Sequence, residues 1–145
     1  MKKVISILTF TITLISCNNS TQETIIQEQN SDKVIDKQQL LIGNSGKITF
    51  PEMTAEVKYV NDSTLHWKTT DSKGIVAEGV EKMDYQNLTN NLHFLNWIEK
   101  DGWTVSQIID TKKGTVKAYW SFADEKSLRG KRTSMFVDGK FEFVK

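Results

Sequence analysis

Glu99 is the side chain in this sequence whose type and position best suit chemistry. It stands two residues after Trp97, and alternate residues of a β-strand face the same side, so an inward Trp97 brings Glu99 inward as well. A buried carboxylate is costly unless it is paired, so an inward Glu99 indicates a bound ligand or a basic neighbour. The alternative is a half-solvated Glu99 beside a hairpin at the rim of the domain.

Three tryptophans fall on strand faces that the alternating pattern predicts to point inward, namely Trp67, Trp97 and Trp120. An apolar pocket with few polar groups is typical of a site for a flat or apolar small molecule. The same rings could equally form the core of a short domain, and both interpretations stay open. Trp103 follows Gly102 at a predicted hairpin tip, where we expect it to be exposed.

Other kinds of site are not visible in the sequence. His66 and His93 are far apart, and the chain has no cysteine pair, no clustered Asp-x-Asp loop and no Gly-x-Gly-x-x-Gly motif, so we expect neither a metal nor a cofactor. The formal net charge of +1 is no footprint for nucleic acid. The basic residues at 126, 129, 131 and 132 predict a solvated face that permits contact with anionic lipid.

Short segments of alternating apolar and polar residues are expected to form the strands that position these side chains. Along 115–122, apolar residues occupy every second position, which is typical of a strand with one buried and one solvated face. Glycine-containing turns at 100–102, 112–114 and 138–139 predict hairpins, with Gly102 at positive φ. The pattern predicts an all-β, antiparallel up-and-down barrel of about eight strands, because closure leaves no exposed sheet edge. The segments are 47–50, 54–60, 64–70, 75–83, 92–99, 104–109, 115–122, 127–137 and 141–144.

The N-terminus predicts export. Two lysines precede a short apolar stretch and a Leu-Ile-Ser-Cys ending at Cys17, which is the arrangement of a secretory signal peptide. The ending resembles the lipobox of bacterial lipoproteins, which implies that residues 1–17 are processed and that Cys17 carries a lipid. Residues 18–39 are polar and predict a disordered, flexible tether between the lipid and a folded domain at 40–145. The alternative is a plain signal peptide with an incidental cysteine.

The run FLNWIEKDGWTVS at 94–106 resembles the W-x-E-x-x-G-x-x-V-S hairpin of MoaF-like proteins. These are lipocalin-like calycin barrels, and the bacterial phenolic acid decarboxylases share the hairpin. Weaker similarity at 41–43, 60–67 and 110–116 extends the resemblance over 40–145. The resemblance implies a calycin-like barrel for this domain.

The decarboxylases use a glutamate, an arginine and two tyrosines, and the resemblance implies where each would lie. The glutamate corresponds to Glu99, but Ile48 and Phe50 stand where the tyrosines would be, and no arginine follows the stretch ending at Gly79. Loss of the cation and both hydroxyls removes the positioning that such chemistry needs. We therefore expect a protein that is not an enzyme, since fold alone does not carry function.

The sequence predicts a lipid-anchored protein of the bacterial cell envelope whose barrel binds a small apolar or aromatic ligand. The alternatives are an interaction or inhibitor module with a filled barrel, and a decarboxylase-like enzyme with a rearranged site. The partners expected are that ligand and, through the N-terminal lipid, a membrane. The residues expected to bind the ligand are Trp67, Trp97, Glu99, Trp120, Phe50 and Ile48.

Overall fold

The computed structural model describes residues 40–145, which form eight β-strands. Within these residues there is no helix long and apolar enough to span a membrane. Consecutive strands pair antiparallel and the last pairs with the first, which closes the barrel and confirms the predicted up-and-down topology. The predicted signal peptide with Cys17 and the predicted tether at 18–39 lie outside the described residues. The strands are β1 Ser45–Thr49, β2 Met53–Asn61, β3 Thr64–Asp71, β4 Val76–Asn87, β5 Leu92–Ile98, β6 Thr104–Asp110, β7 Thr115–Ala123 and β8 Arg132–Val144.

Alternating burial along the strands separates the barrel interior from a solvated outer face. In β5, His93, Leu95 and Trp97 are buried while the residues between them keep part of their surface exposed. This period of two follows from the pleat, which turns successive side chains to opposite faces. Removing the inward apolar surface from water is the main favourable term in folding. The interior residues with no exposed surface include Leu41, Ile48, Tyr59, Leu65, Leu95 and Ile109.

The predicted turn at Asp138 and Gly139 is wrong, because β8 runs without interruption from Arg132 to Val144. Gly139 serves close packing instead of a turn. A Cβ at this position would lie 2.9 Å from the ring of Phe50 and 3.0 Å from Cγ2 of Ile48, so glycine lets both side chains approach the strand. The Asp-Gly pair therefore looks like a hairpin turn in the sequence, but the glycine is needed here for packing and not for chain reversal.

Most strand boundaries differ from the sequence prediction by one or two residues, and the larger differences are the end of β4, at Asn87 instead of Met83, and the start of β8. The segment 127–131 is a turn region before β8, where the N–H of Asp124 donates to the carbonyl of Lys131 at 2.8 Å. β5 ends at Ile98 rather than at Glu99, because the chain begins to turn at Glu99.

The barrel has two unlike ends. Near the end that we call the closed end, fully buried side chains such as Tyr59, Leu65 and Ile109 fill the interior. Near the other, which we call the open end, the interior keeps a cavity. The closed end carries the turns at 62–63, 88–91 and 111–114, and the open end carries the connections at 50–52, 72–75, 99–103 and 124–131.

Candidate functional site

A cavity of about 320 Å³ lies inside the barrel at the open end. All four tryptophans of the chain line it, together with Phe50 and Glu99. The lining is mostly apolar, and its polar members besides Glu99 and the indole N–H groups are Asp101, Gln107 and Thr69. An apolar cavity with few directional polar groups is the usual construction of a small-molecule site.

One wall of the cavity continues into a cluster of aromatic rings. Phe50 meets Trp120 edge to face, with ring centroids 5.2 Å apart. Trp103 lies 6.5 Å from Trp120 and stacks on Phe122 at 4.3 Å. Such pairs add roughly 0.5–1.5 kcal/mol each beyond the burial of their area. These contacts hold the rings in place, so the wall is a preformed aromatic surface.

The turn from Glu99 to Gly102 places the carboxylate at the cavity. The N–H of Gly102 donates to the carbonyl of Glu99 at 2.8 Å, and the N–H of Glu99 donates to the carbonyl of Trp103 at 2.7 Å. Gly102 has a φ of 88°, which confirms the predicted positive φ. The indole Nε1 of Trp97 donates to Oε1 of Glu99 at 3.2 Å, so Trp97 orients the carboxylate.

Burial raises the pKa of Glu99 above the ordinary carboxyl value of 4.5. The hydrogen bond from Trp97 lowers this pKa, whereas the negative charges of Asp101 and Glu81 raise it further. Among the described residues, neither a lysine nor an arginine lines the cavity. The carboxylate therefore has neighbours of its own sign and an indole N–H, but no cationic partner on the cavity wall.

Trp67 lies flat against β4, and the structure there depends on glycine. A Cβ on Gly79 would lie 2.9 Å from three atoms of the Trp67 ring, so any other residue at this position would displace the indole. The Nε1 atom of Trp67 is buried and has no hydrogen-bond partner. Buried donors in proteins are normally paired, so this N–H is an exception to the usual rule.

The structure brings together most of the residues that the sequence nominated for ligand binding. Ile48 is the exception: it is fully buried in the packed core beside Gly139 and does not line the cavity. The five nominated residues on the cavity wall are Trp67, Trp97, Glu99, Trp120 and Phe50.

Sequence reasoning missed Trp103 and Gln107. The expectation that Trp103 is exposed at a hairpin tip is wrong, because the ring is partly buried and lines the cavity. The signal was present, since Trp103 and Gln107 share strand parity with Val105, which is buried. Because Gly102 predicts a hairpin tip, Trp103 was assigned to the turn and not to the strand that follows it.

The two histidines occupy different surroundings. His66 is exposed, whereas His93 is fully buried with its Nδ1 2.9 Å from the hydroxyl of Tyr85. Within residues 40–145, no group of three or more His, Cys, Asp or Glu side chains is arranged to hold a metal ion. The cavity is thus the feature of the described chain that best fits a ligand.

Comparison with known proteins bears on the fold and the family. A crystal structure from Burkholderia vietnamiensis, described as a "putative beta-lactamase", superposes with a TM-score of 0.60 at 20% identity, covering 74% of this chain and 98% of that one. At this identity the likeness shows a shared fold and nothing about activity. No curated protein sequence matches the chain. The profile of the MoaF-like family matches residues 42–134, more than half of the sequence, and the chain therefore belongs to the MoaF-like family.

Proposed function

We propose that this protein is a lipid-anchored component of the bacterial cell envelope that binds a small apolar or aromatic molecule and does not transform it. The observation that carries the binding proposal is the cavity of about 320 Å³ lined by all four tryptophans and Glu99. Its preformed aromatic wall supports affinity, because a rigid site loses little conformational freedom on binding. An interaction module with a filled barrel is the weaker candidate, since the interior at the open end is not filled.

The absence of catalysis is proposed from the composition of the cavity wall. A decarboxylase-type reaction needs a cation and hydroxyl groups to position the substrate carboxylate and phenol. In the described part of the chain, no lysine, arginine or tyrosine lines the cavity. Phe50 lacks a hydroxyl, and Ile48 is buried in the packed core. Release of carbon dioxide from a hydroxycinnamate by the purified protein would contradict this part of the proposal.

Tryptophan emission gives a direct test of binding, because every tryptophan of the chain lines the cavity. Titration with benzyl alcohol, a small neutral aromatic probe, is expected to change the emission and to saturate. Trp120→Leu should weaken binding at least about tenfold, since it removes a ring from the aromatic wall. The matched control is Phe136→Leu, an exposed ring on the outer face, which should bind the probe as the wild type does. A linear response that neither variant alters would contradict binding in the cavity.

The envelope location is proposed from the Leu-Ile-Ser-Cys ending at Cys17. Cys17→Ala should leave unprocessed precursor and abolish labelling with a fatty-acid analogue, whereas the nearby control Ser20→Ala should be processed and labelled normally. A single acyl chain binds membranes only marginally, so stable anchoring needs at least two lipid groups. Labelling that persists in Cys17→Ala would exclude this site of lipidation.

A further inference from the structure

The cavity continues into an acidic groove at the side of the barrel. The ladder between β4 and β5 ends at the pair Met83 and Trp97, although β4 extends back to Val76. Beyond that pair, the two strands are not joined and a groove of about 570 Å³ lies between β4 and the turn after β5. We call this the side groove; it is lined by Trp67, Glu78, Gly79, Val80, Glu81, Glu99, Lys100 and Asp101.

The cavity and the side groove share the residues at their junction. Trp67, Glu99 and Asp101 line both spaces. The junction thus combines the face of an indole ring with two carboxylates, and Glu81 is close enough for its charge to act on Glu99. Lys100 is the single basic residue among the described residues that line either space.

Two properties of the junction favour a positively charged guest. Indole rings attract cations through their electron-rich faces, more strongly than the other aromatic side chains do. Glu99 is half-buried and has no cationic partner on the cavity wall, so it gains from a guest that neutralises its charge, because an unpaired buried charge is costly.

We infer that the ligand is an organic cation, whose charged group lies between Glu99, Asp101 and Glu81 and whose apolar or aromatic body lies among the tryptophans. This inference rests on the proposed binding function and specifies the chemical class of the ligand. Quaternary ammonium compounds and protonated aromatic amines belong to this class. The acidic side groove is the route by which the charged end enters, since it presents charges of the opposite sign along its length.

The same geometry disfavours two other guests. An anionic ligand such as an aromatic carboxylate would meet Glu99 and Asp101 with its own charge of the same sign. A bare metal ion needs several ligands at short range, and no such group of side chains exists within residues 40–145. A large, weakly hydrated organic cation is not repelled by the carboxylates and does not need several ligands at short range.

Three probes of matched size test the inference: benzyltrimethylammonium, its neutral carbon isostere neopentylbenzene, and the anion phenylacetate. Affinities are measured with the purified protein by tryptophan emission. The cation should bind at least about tenfold more tightly than the neutral isostere, as expected for a cation held by indole faces and carboxylates together. Equal binding of cation and isostere would overturn the inference while leaving the proposed function intact. Failure of all three probes to bind would overturn both, and preferred binding of the anion would overturn the inference.

Isosteric amide variants separate charge from shape. In Glu99→Gln, the amide oxygen can still accept the hydrogen bond from Trp97, and in Asp101→Asn it can still accept the bond that the backbone N–H of Trp103 donates at 3.1 Å. Each variant should weaken binding of the cation at least about fivefold and leave the neutral isostere unaffected. The control is Glu142→Gln, an exposed carboxylate on the outer face of β8, which should change neither affinity. An equal loss for both probes in the cavity variants would assign Glu99 and Asp101 a structural role and overturn the inference.

Discussion

At the closed end of the barrel, Tyr59, Leu65 and Ile109 have no exposed surface, whereas at the open end Trp67, Trp103 and Trp120 each keep part of their rings exposed. Both ends are built from the same eight strands and the same alternation of inward and outward residues. The difference lies in the shape of the side chains and in the strand pairing around them. At the closed end the side chains interdigitate at high packing density, whereas at the open end the rings pack along the wall and leave the cavity between the strands.

Strand pairing adds to the contrast between the ends. Toward the closed end, β4 and β5 are joined from Met83 and Trp97 to Asn87 and His93. Toward the open end they separate, because the chain after Ile98 turns back through the hairpin to Trp103. The closed end therefore provides stability, and the open end provides space and carboxylates without a cationic partner on the cavity wall. A small barrel can hold one small ligand only if part of its interior is left unfilled in this way.

The largest expected effect is at the closed end. Leu65→Ala should lower the free energy of unfolding by about 2–5 kcal/mol, because the fully buried side chain leaves a void among packed neighbours. The matched change on the same strand is Thr69→Ala, which faces the cavity and should cost about 1 kcal/mol or less. Urea denaturation measures both. Similar losses in the two variants would mean that the two ends are packed alike.

The hairpin at the open end should respond to backbone strain and not to packing. Gly102 has a φ of 88°, and a Cβ at this position would meet nothing within 4 Å. Gly102→Val should destabilise the barrel by about 1–3 kcal/mol, entirely because a β-branched residue disfavours positive φ. Gly102→Asn is the control and should cost less, since asparagine tolerates this region. An unchanged melting temperature in the valine variant would contradict this account of the turn.

The carboxylate at the cavity should make stability depend on pH. Burial raises the pKa of Glu99, so the folded protein holds this proton more tightly than the unfolded chain does in the pH range just above 4.5. Stability contributed by this group is therefore present below that range and is lost as pH rises through it. Glu99→Gln should remove this part of the pH dependence of stability and should be more stable than the wild type above that pH range.

Urea denaturation of wild type and Glu99→Gln at a series of pH values measures the effect. Asp101 and Glu81 act on Glu99 in the same direction as burial, and the Trp97 hydrogen bond acts in the opposite direction. Asp101→Asn should therefore reduce the slope without removing it. A stability difference between wild type and Glu99→Gln that is the same at every pH would contradict the raised pKa.

The smallest effect is expected at an unpaired hydroxyl of the closed end. Burial raises the pKa of Tyr59, and its hydroxyl has no hydrogen-bond partner. Removing an unsatisfied buried group is nearly neutral or stabilising, so Tyr59→Phe should change the free energy of unfolding by roughly 0 to +1 kcal/mol. The control Tyr85→Phe should be destabilised, since it loses the contact with His93. A clear loss of stability in Tyr59→Phe would show that the hydroxyl is paired.

The barrel could be predicted from the sequence because strands and hairpins are specified by local patterns. Period-two alternation and the Asp101–Gly102 turn specify strands and a hairpin without knowledge of distant contacts, and five predicted cavity residues share a face for the same reason. The role of Gly139 was not predictable, because it admits Ile48 of β1 and Phe50 just after β1, and no local pattern indicates such an approach. The side groove was not predictable either, because it depends on where the β4–β5 ladder ends.

The central claim is that the open end holds a ligand while the closed end is packed, and the resonances of single side chains test it most directly. The four tryptophan indole N–H signals report on the cavity, and the methyl signals of Leu65 and Ile109 report on the closed end. During titration of labelled protein with benzyltrimethylammonium, the indole signals should shift and saturate while those methyl signals stay in place. Indole signals that remain unmoved by this probe and by benzyl alcohol, or shifts confined to the closed end, would contradict the account.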